Sequence, residues 1–206
     1  QGDPDRVSGG VVLAPPSTWL LRPDSSRRSG RYRFHVITNG ETHFATGVRP
    51  APGGAQDTYE ADVSDMADAA FSAFGAIRRY RVAPPAVDVA IVPGLPFDDK
   101  TAVGWVQGAV HAIGSYVGRV PDDRALLLLV PGTSVVTRGV TLGGGGASVV
   151  IRVGTGVTAA KLRDDWVVAH ELVHVATPSL GYEHAWFAEG LATYVEPVAR
   201  ARAGLV

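Results

Sequence analysis

The chain has 206 residues, of which 46% are hydrophobic and 19% charged, and its formal net charge is −1. This composition is typical of a folded domain of moderate size, and the near-zero charge gives no reason to expect binding to nucleic acid or to an anionic membrane surface. The absence of cysteine excludes disulfides and any thiolate zinc site, so a metal would have to be held by histidine and carboxylate.

The first thirty residues are rich in proline, glycine, serine and arginine and contain two short apolar patches. We expect an extended N-terminal arm over residues 1–30, whose patches pack on a main domain formed by residues 31–206. No hydrophobic run approaches the roughly eighteen residues of a membrane span. The sequence starts at Gln1 rather than Met, which a removed leader, a removed anchor or a shortened sequence would each explain, and we expect a secreted or surface-anchored protein. The end at Leu205-Val206 is abrupt, so truncation at the C-terminus stays open.

The start of the main domain predicts a β-hairpin followed by a helix. Residues 31–38 alternate in polarity, and Asn39-Gly40 is a favoured two-residue hairpin turn, so residues 42–48 should form the partner strand. Within residues 62–80, apolar side chains recur every three or four positions, which is the helical period. We therefore predict an amphipathic helix after the hairpin.

The middle of the chain predicts two buried strands separated by a helix. Residues 87–92 and 125–130 are short apolar runs near proline or glycine, as expected of strands buried on both faces. Residues 101–118 have apolar side chains at helical spacing despite four glycines. The predicted fold class is α+β, with a mixed twisted sheet, the N-terminal hairpin and helices packed against the sheet.

The most informative stretch is His170-Glu171-Leu172-Val173-His174. On a helix, two histidines four residues apart point to the same side, so both imidazoles can bind one metal ion with Glu171 beside it. A zinc hydrolase needs such a pair, a third ligand, an open position for water and a carboxylate that takes the water's proton. We predict that this helix begins near Thr158 and ends near Thr177.

Glu189 is the predicted third ligand. Fourteen residues separate it from His174, which is enough for the first helix to end and for a second helix to return past the metal. We predict this second helix over residues 183–195, followed by a break or kink at Pro197. A histidine ligand at the metzincin spacing would have to stand at position 180, which is Leu180.

The second helix carries Trp186-Phe187-Ala188-Glu189-Gly190-Leu191-Ala192-Thr193-Tyr194. Together with the two histidines, this segment resembles the gluzincin metallopeptidases, in which a Trp-x-x-Glu-Gly-x-Ala-x-Tyr segment carries the glutamate ligand. The short spacing is most similar to the small bacterial peptidase MA-like group, which is related to aminopeptidase N and glycyl aminopeptidase. The matching motif covers only about residues 165–196.

The resemblance implies a zincin-like fold and hydrolysis of peptide bonds in a peptide or protein substrate. Zn²⁺ would be held by His170, His174 and Glu189, and Glu171 would act as general base. Endopeptidase and exopeptidase activity both remain open. The alternative function is a catalytically inactive zinc-binding module for protein binding or adhesion.

Other residues near the motif have candidate roles. Three side chains are candidates to stabilise the oxyanion or to contact substrate: Tyr182, His184 and Tyr194. Thr193 lies one helical turn after Glu189, so we predict that it orients a ligand histidine. Three apolar side chains are expected in the core: Trp186, Phe187 and Leu191.

A run of four glycines, residues 143–146, precedes an apolar stretch. A phosphate-binding loop is a poor interpretation, because no Lys-Ser or Lys-Thr pair follows the run. In gluzincins, the strand before the active-site helix is the sheet edge that binds peptide through its backbone. The resemblance therefore implies a substrate edge at Gly144, Gly145, Gly146 and Ala147, with a flexible hairpin tip as the alternative.

Overall fold

The computed structural model describes residues 5–21, 29–83, 86–118, 124–178 and 181–206. The strands are β1 (Asp5–Arg6), β2 (Val12–Ala14), β3 (Arg31–His35), β4 (His43–Thr46), β5 (Thr58–Asp62), β6 (Ser72–Gly75), β7 (Arg78–Val82), β8 (Val87–Ile91), β9 (Ala125–Pro131), β10 (Arg138–Leu142) and β11 (Ala147–Val153). The α-helices are α1 (Pro16–Trp19), α2 (Asp99–Val117), α3 (Val167–Ala176) and α4 (Ala185–Arg202). The predicted α+β class is confirmed. None of the described helices has the length and apolar character that crossing a membrane requires.

A five-stranded sheet in the order β10-β11-β9-β8-β7 forms the centre of the fold. Strand β9 pairs in parallel with β8 and β11, whereas β7 and β10 run antiparallel at the two edges. Alternate residues of a strand face opposite sides. Leu127 and Leu129 therefore pack among the helices, and Leu126 and Leu128 pack against the N-terminal strands. The strands predicted at 87–92 and 125–130 are confirmed, and burial on both faces explains their continuous apolar sequences.

Helix α2 confirms the helix predicted at residues 101–118, and local sequence sets both of its ends. The Asp98 side chain accepts a hydrogen bond from the Thr101 backbone N–H at 2.8 Å, which satisfies one of the free donors of the first turn. Gly118 ends the helix in the left-handed conformation, at φ 78°.

The predicted N-terminal hairpin is wrong, although residues 31–35 do form a strand. Strand β3 pairs antiparallel with β5, and β4 pairs with β6 instead. In the β3–β5 pair, Phe34 lies opposite Tyr59 with their rings stacked at 5.3 Å, and Arg33 forms an ion pair with Glu60 at 2.6 Å. These cross-strand contacts outweigh the local preference of Asn39-Gly40 for a hairpin turn.

The helix predicted for residues 62–80 is also wrong. This stretch forms a short 3₁₀ helix, Val63–Asp68, followed by β6 and β7. Strand β6 lies between β2 and β4, and its Gly75 has φ 133°, a value that helices do not adopt. Of the periodic apolar residues, Met66 lies in the 3₁₀ helix and Phe74 in β6, because long-range strand pairing overrides a weak local period.

Residues 1–30, predicted as an extended arm, include β1, β2 and α1 in their described part. Strand β2 pairs with β6, which places Val11 and Leu13 in the core against the central sheet. Trp19 packs edge-on against three phenylalanines: Phe34, Phe44 and Phe74. The described part of the arm thus belongs to the N-terminal sheet.

The glycine run joins the N-terminal strands to the central sheet. The Gly144 N–H donates to the Asp68 carbonyl at 2.9 Å, and its carbonyl accepts from the Ala70 N–H at 3.0 Å. The Gly145 carbonyl accepts from the Arg49 N–H at 3.1 Å, and Gly146 forms a bridge with Val48. The structure therefore does not place Gly144, Gly145, Gly146 and Ala147 at an open substrate edge, since Ala147 begins the internal strand β11.

We expect Gly145→Val to destabilise the fold rather than to block substrate alone. Gly145 has φ 67°, and a Cβ there would overlap the Cβ of Ala61. Backbone strain and overpacking together should lower the free energy of unfolding by about 3 kcal/mol. Thermal unfolding followed by circular dichroism measures this effect. Gly143→Val is the matched control, because a Cβ at Gly143 meets nothing closer than 4.0 Å, and equal melting temperatures for the two variants would contradict the prediction.

Candidate metal centre

Helix α3 carries both motif histidines and begins at Val167. Just before the helix, Asp165 Oδ1 accepts a hydrogen bond from the Val167 N–H at 3.0 Å, and burial raises the pKa of this carboxyl. The predicted start near Thr158 is wrong, because a 3₁₀ helix follows Thr158 and its side chain makes no capping hydrogen bond. Helix α3 packs against α2, α4, β10 and β11, so the histidines project from a well-supported element.

Helix α4 returns past α3 and presents Glu189. Contrary to prediction, Pro197 does not end this helix, which continues to Arg202. The turn that contains Pro197 is held by a buried ion pair between Arg200 and Glu196 at 2.7 Å. Arg200 also donates to the carbonyl of Arg163 at 3.0 Å. These bonds anchor this part of α4 to the rest of the fold, although Pro197 itself offers no backbone donor.

The structure brings His170, His174 and Glu189 together. His170 Nε2 lies 3.2 Å from Glu189 Oε2, and His174 Nε2 lies 3.5 Å from Glu189 Oε1. Tetrahedral zinc, with bonds of about 2.0–2.1 Å, places neighbouring donor atoms about 3.3 Å apart. A direct hydrogen bond would explain the His170–Glu189 distance of 3.2 Å, but the His174–Glu189 distance of 3.5 Å is longer than an ordinary hydrogen bond. The donor set and its spacing therefore fit one shared zinc ion.

The three side chains differ in exposure. The histidine side chains are 10% and 17% exposed, whereas that of Glu189 is 63% exposed. The Trp166 ring packs edge-on against the His170 ring, with centroids 5.2 Å apart. The imidazoles thus approach from the protein interior and the carboxylate from the solvent side, so an ion held there would be accessible to water.

Glu171 packs against β10, one of the two edge strands of the central sheet. The Thr141 hydroxyl donates to Glu171 Oε2 at 2.6 Å, and Glu171 is only 8% exposed. A Cβ at Gly139 would overlap the Glu171 carboxylate, so this position accepts no side chain without a shift. Sequence analysis missed both Gly139 and Thr141. The only signal was two small residues at alternate positions upstream of the motif.

The other predicted site residues are Thr193, His184, Tyr194 and Tyr182. Thr193 and His184 are exposed, and within the described part of the chain no hydrogen bond joins Thr193 to His170 or His174. Tyr194 is also exposed. Tyr182 begins a 3₁₀ turn, but its side chain lies outside the described residues. The roles predicted for these four residues stay predictions.

The aromatic residues at the start of α4 are not core residues. Trp186 is 74% exposed and Phe187 is 47% exposed, whereas Leu191 is partly buried against the core. The buried residues of α4 are three small or branched residues and one ion pair: Ala192, Val195, Ala199, Glu196 and Arg200. Trp186 and Phe187 lie outside this buried set, so their predicted burial is wrong.

Comparisons with known proteins find similar structures but no similar sequences. No family model and no curated protein matches the chain. The structure is similar to that of an aminopeptidase N family protein from Idiomarina loihiensis, with a TM-score of 0.68, 13% identity, and coverage of 95% of this chain and 38% of that one. It is also similar to an M1 zinc metallopeptidase from Deinococcus radiodurans, with a TM-score of 0.52, 15% identity, and coverage of 94% and 47%.

A mutant of the Deinococcus enzyme, described as bound to a Tyr-Ser-Ala substrate, matches with a TM-score of 0.52 and 14% identity, and the match covers 95% of this chain and 47% of that one. The chain therefore has a fold similar to part of the M1 zinc metallopeptidases. It spans less than half the length of each of these three matched chains.

Proposed function

We propose that the protein is a zinc-dependent peptidase in which His170, His174 and Glu189 hold Zn²⁺. The observation that carries the proposal is the convergence of their three donor atoms, all within 4.8 Å of one another. The buried Glu171 follows His170 directly in the sequence. The similarity to M1 zinc metallopeptidases supports it at the level of fold. Two imidazoles and one carboxylate leave a tetrahedral ion one position for water, which is the composition of a catalytic zinc site.

Glu171 is the proposed general base. A zinc ion in such a site lowers the pKa of a bound water and polarises the substrate carbonyl. Glu171 follows a ligand histidine directly in sequence, and its carboxylate is fixed by the Thr141 hydroxyl. In the proposed reaction this carboxylate takes a proton from the attacking water and returns it to the leaving amine.

Strand β10 supports a peptide as the substrate. It ends the order of the central sheet, and among the described residues no further strand pairs with its outer side. An extended peptide can add to such an edge through main-chain hydrogen bonds. Because Glu171 packs against the same strand, a peptide bound there would lie close to the proposed base.

Metal removal tests the proposal. We expect the purified protein to contain about one zinc per chain and to cleave members of a mixed peptide library, because the donor set fits this ion. A strong zinc chelator should abolish cleavage, and stoichiometric zinc should restore it. Metal analysis and mass spectrometry of the library provide the two measurements.

The outcomes of this experiment are distinct. Bound zinc without cleavage of any peptide would favour the inactive zinc-binding module. Cleavage that persists in metal-free protein would contradict the proposed chemistry, even if the protein binds zinc.

A further inference from the structure

We propose that Thr141 is a positioning residue for Glu171, an inference that rests on the proposed peptidase function. The Thr141 Oγ1 lies 2.6 Å from Glu171 Oε2 and 3.3 Å from the Glu171 carbonyl oxygen. A hydroxyl has one hydrogen to donate, and the short distance assigns it to the carboxylate. The three proposed metal ligands do not include Thr141, and its hydroxyl contacts the proposed base, so the proposed effect on the reaction acts through Glu171.

Gly139 completes this arrangement. It stands two positions before Thr141 on β10, so the two residues face the same side of the strand. A Cβ at Gly139 would lie 2.5 Å from Glu171 Oε1, whereas Thr141 binds Oε2. The carboxylate thus rests against the backbone at one oxygen and accepts a hydrogen bond at the other. Edge strand β10 therefore holds both oxygens of the proposed base.

A glutamate side chain is conformationally flexible, so a general base of this type benefits from contacts that fix its carboxylate. A general base must lie within hydrogen-bond reach of the proton that it takes, and Glu has three rotatable side-chain bonds. A hydrogen bond that fixes the carboxylate before substrate arrives removes this freedom in advance. Without it, the base would be correctly placed for a smaller fraction of the time, and turnover would slow.

A purely structural role for Thr141 would have different consequences. The same hydrogen bond joins β10 to α3, so it also contributes to packing. If packing were its only role, Thr141→Val would lower the melting temperature and leave kcat unchanged. A positioning role requires kcat to fall while KM and zinc content stay near their wild-type values.

Kinetics of three variants test the inference. We expect Thr141→Val to lower kcat about tenfold or more, with KM changed by less than about twofold, because Val keeps the branched shape but donates no hydrogen bond. Thr141→Ser should retain kcat within about threefold, since it keeps the hydroxyl. Thr158→Val is the matched control, because Thr158 is exposed and its side chain caps no helix. Wild-type kcat in Thr141→Val, or equal losses in the Val and Ser variants, would overturn the inference.

A double-mutant cycle on the metal-free protein tests the contact without relying on activity. Thr141→Val should lower the melting temperature in the wild-type background and have a smaller effect beside Glu171→Ala, because the partner is then absent. Thr141→Ala replaces Val in this cycle if Val prevents folding. Equal changes in melting temperature in the two backgrounds would show that Thr141 does not interact with the Glu171 side chain. A wild-type protein that binds zinc but does not turn over would refute the proposed function and the catalytic part of this inference, whereas the cycle would still report on the contact.

Discussion

Glu171→Gln should abolish most peptide cleavage while leaving zinc content and melting temperature near their wild-type values. Glutamine has nearly the same shape as glutamate, and its carbonyl oxygen can still accept the Thr141 hydroxyl, but it cannot take a proton from water. Loss of a general base typically reduces the rate by about 10²- to 10⁴-fold. The measurements are kcat on a peptide selected from the library, metal analysis and thermal unfolding.

Glu183→Gln is the matched control for this prediction. Glu183 is an exposed acid in the 3₁₀ turn that precedes α4, and it is not among the converging donor atoms. Its substitution should change neither cleavage nor zinc content. Wild-type turnover in Glu171→Gln would remove Glu171 as the base. Loss of zinc from the same variant would instead indicate that Glu171 supports the metal centre.

The sequence predicted which three side chains would come together, because their geometry is mostly local. His170 and His174 meet because they are one helical turn apart, and this depends on α3 alone. Glu189 depends only on one further helix that returns past the first. The central strands β8 and β9 could also be predicted from the sequence, since burial on both faces requires a continuous apolar run.

The N-terminal sheet could not be predicted in the same way. A good hairpin turn, Asn39-Gly40, follows strand β3, yet the partner of β3 is β5, because Phe34 pairs with Tyr59 and Arg33 with Glu60 there. A strand's own residues do not identify a partner so distant in sequence. The helical period within residues 62–80 was misleading for the same reason, because pairing of β6 with β2 and β4 decides its conformation.

The surroundings of Glu171 depend on strand register. Gly139 and Thr141 face the carboxylate only because β10 pairs with β11 in one register, and a shift by one residue would turn both to the other face. The contacts of the glycine run, residues 143–146, likewise could not be predicted from the sequence. Its sequence signals an unusual backbone, but only the fold shows that Gly145 lies against Ala61.

Glu189→Ala should weaken zinc binding by at least about a hundredfold. The variant leaves only two histidine ligands, and loss even of residues that merely support ligands commonly costs ten- to a hundredfold in affinity. Glu189 is largely exposed, so its removal should leave the melting temperature of the metal-free protein almost unchanged. Competition with a chromophoric chelator measures the affinity, and thermal unfolding of metal-free protein measures the stability.

The choice of control decides how this last prediction is interpreted. Glu183→Ala is suitable because Glu183 is exposed and lies outside the donor cluster. Glu196→Ala is not, since Glu196 forms a buried ion pair with Arg200, and an unpaired buried Arg200 would destabilise α4. Zinc loss there would reflect unfolding rather than a missing ligand. Equal zinc affinity in Glu189→Ala and Glu183→Ala would show that the third ligand is not Glu189, whereas a loss confined to Glu189→Ala would support the proposed ligand set.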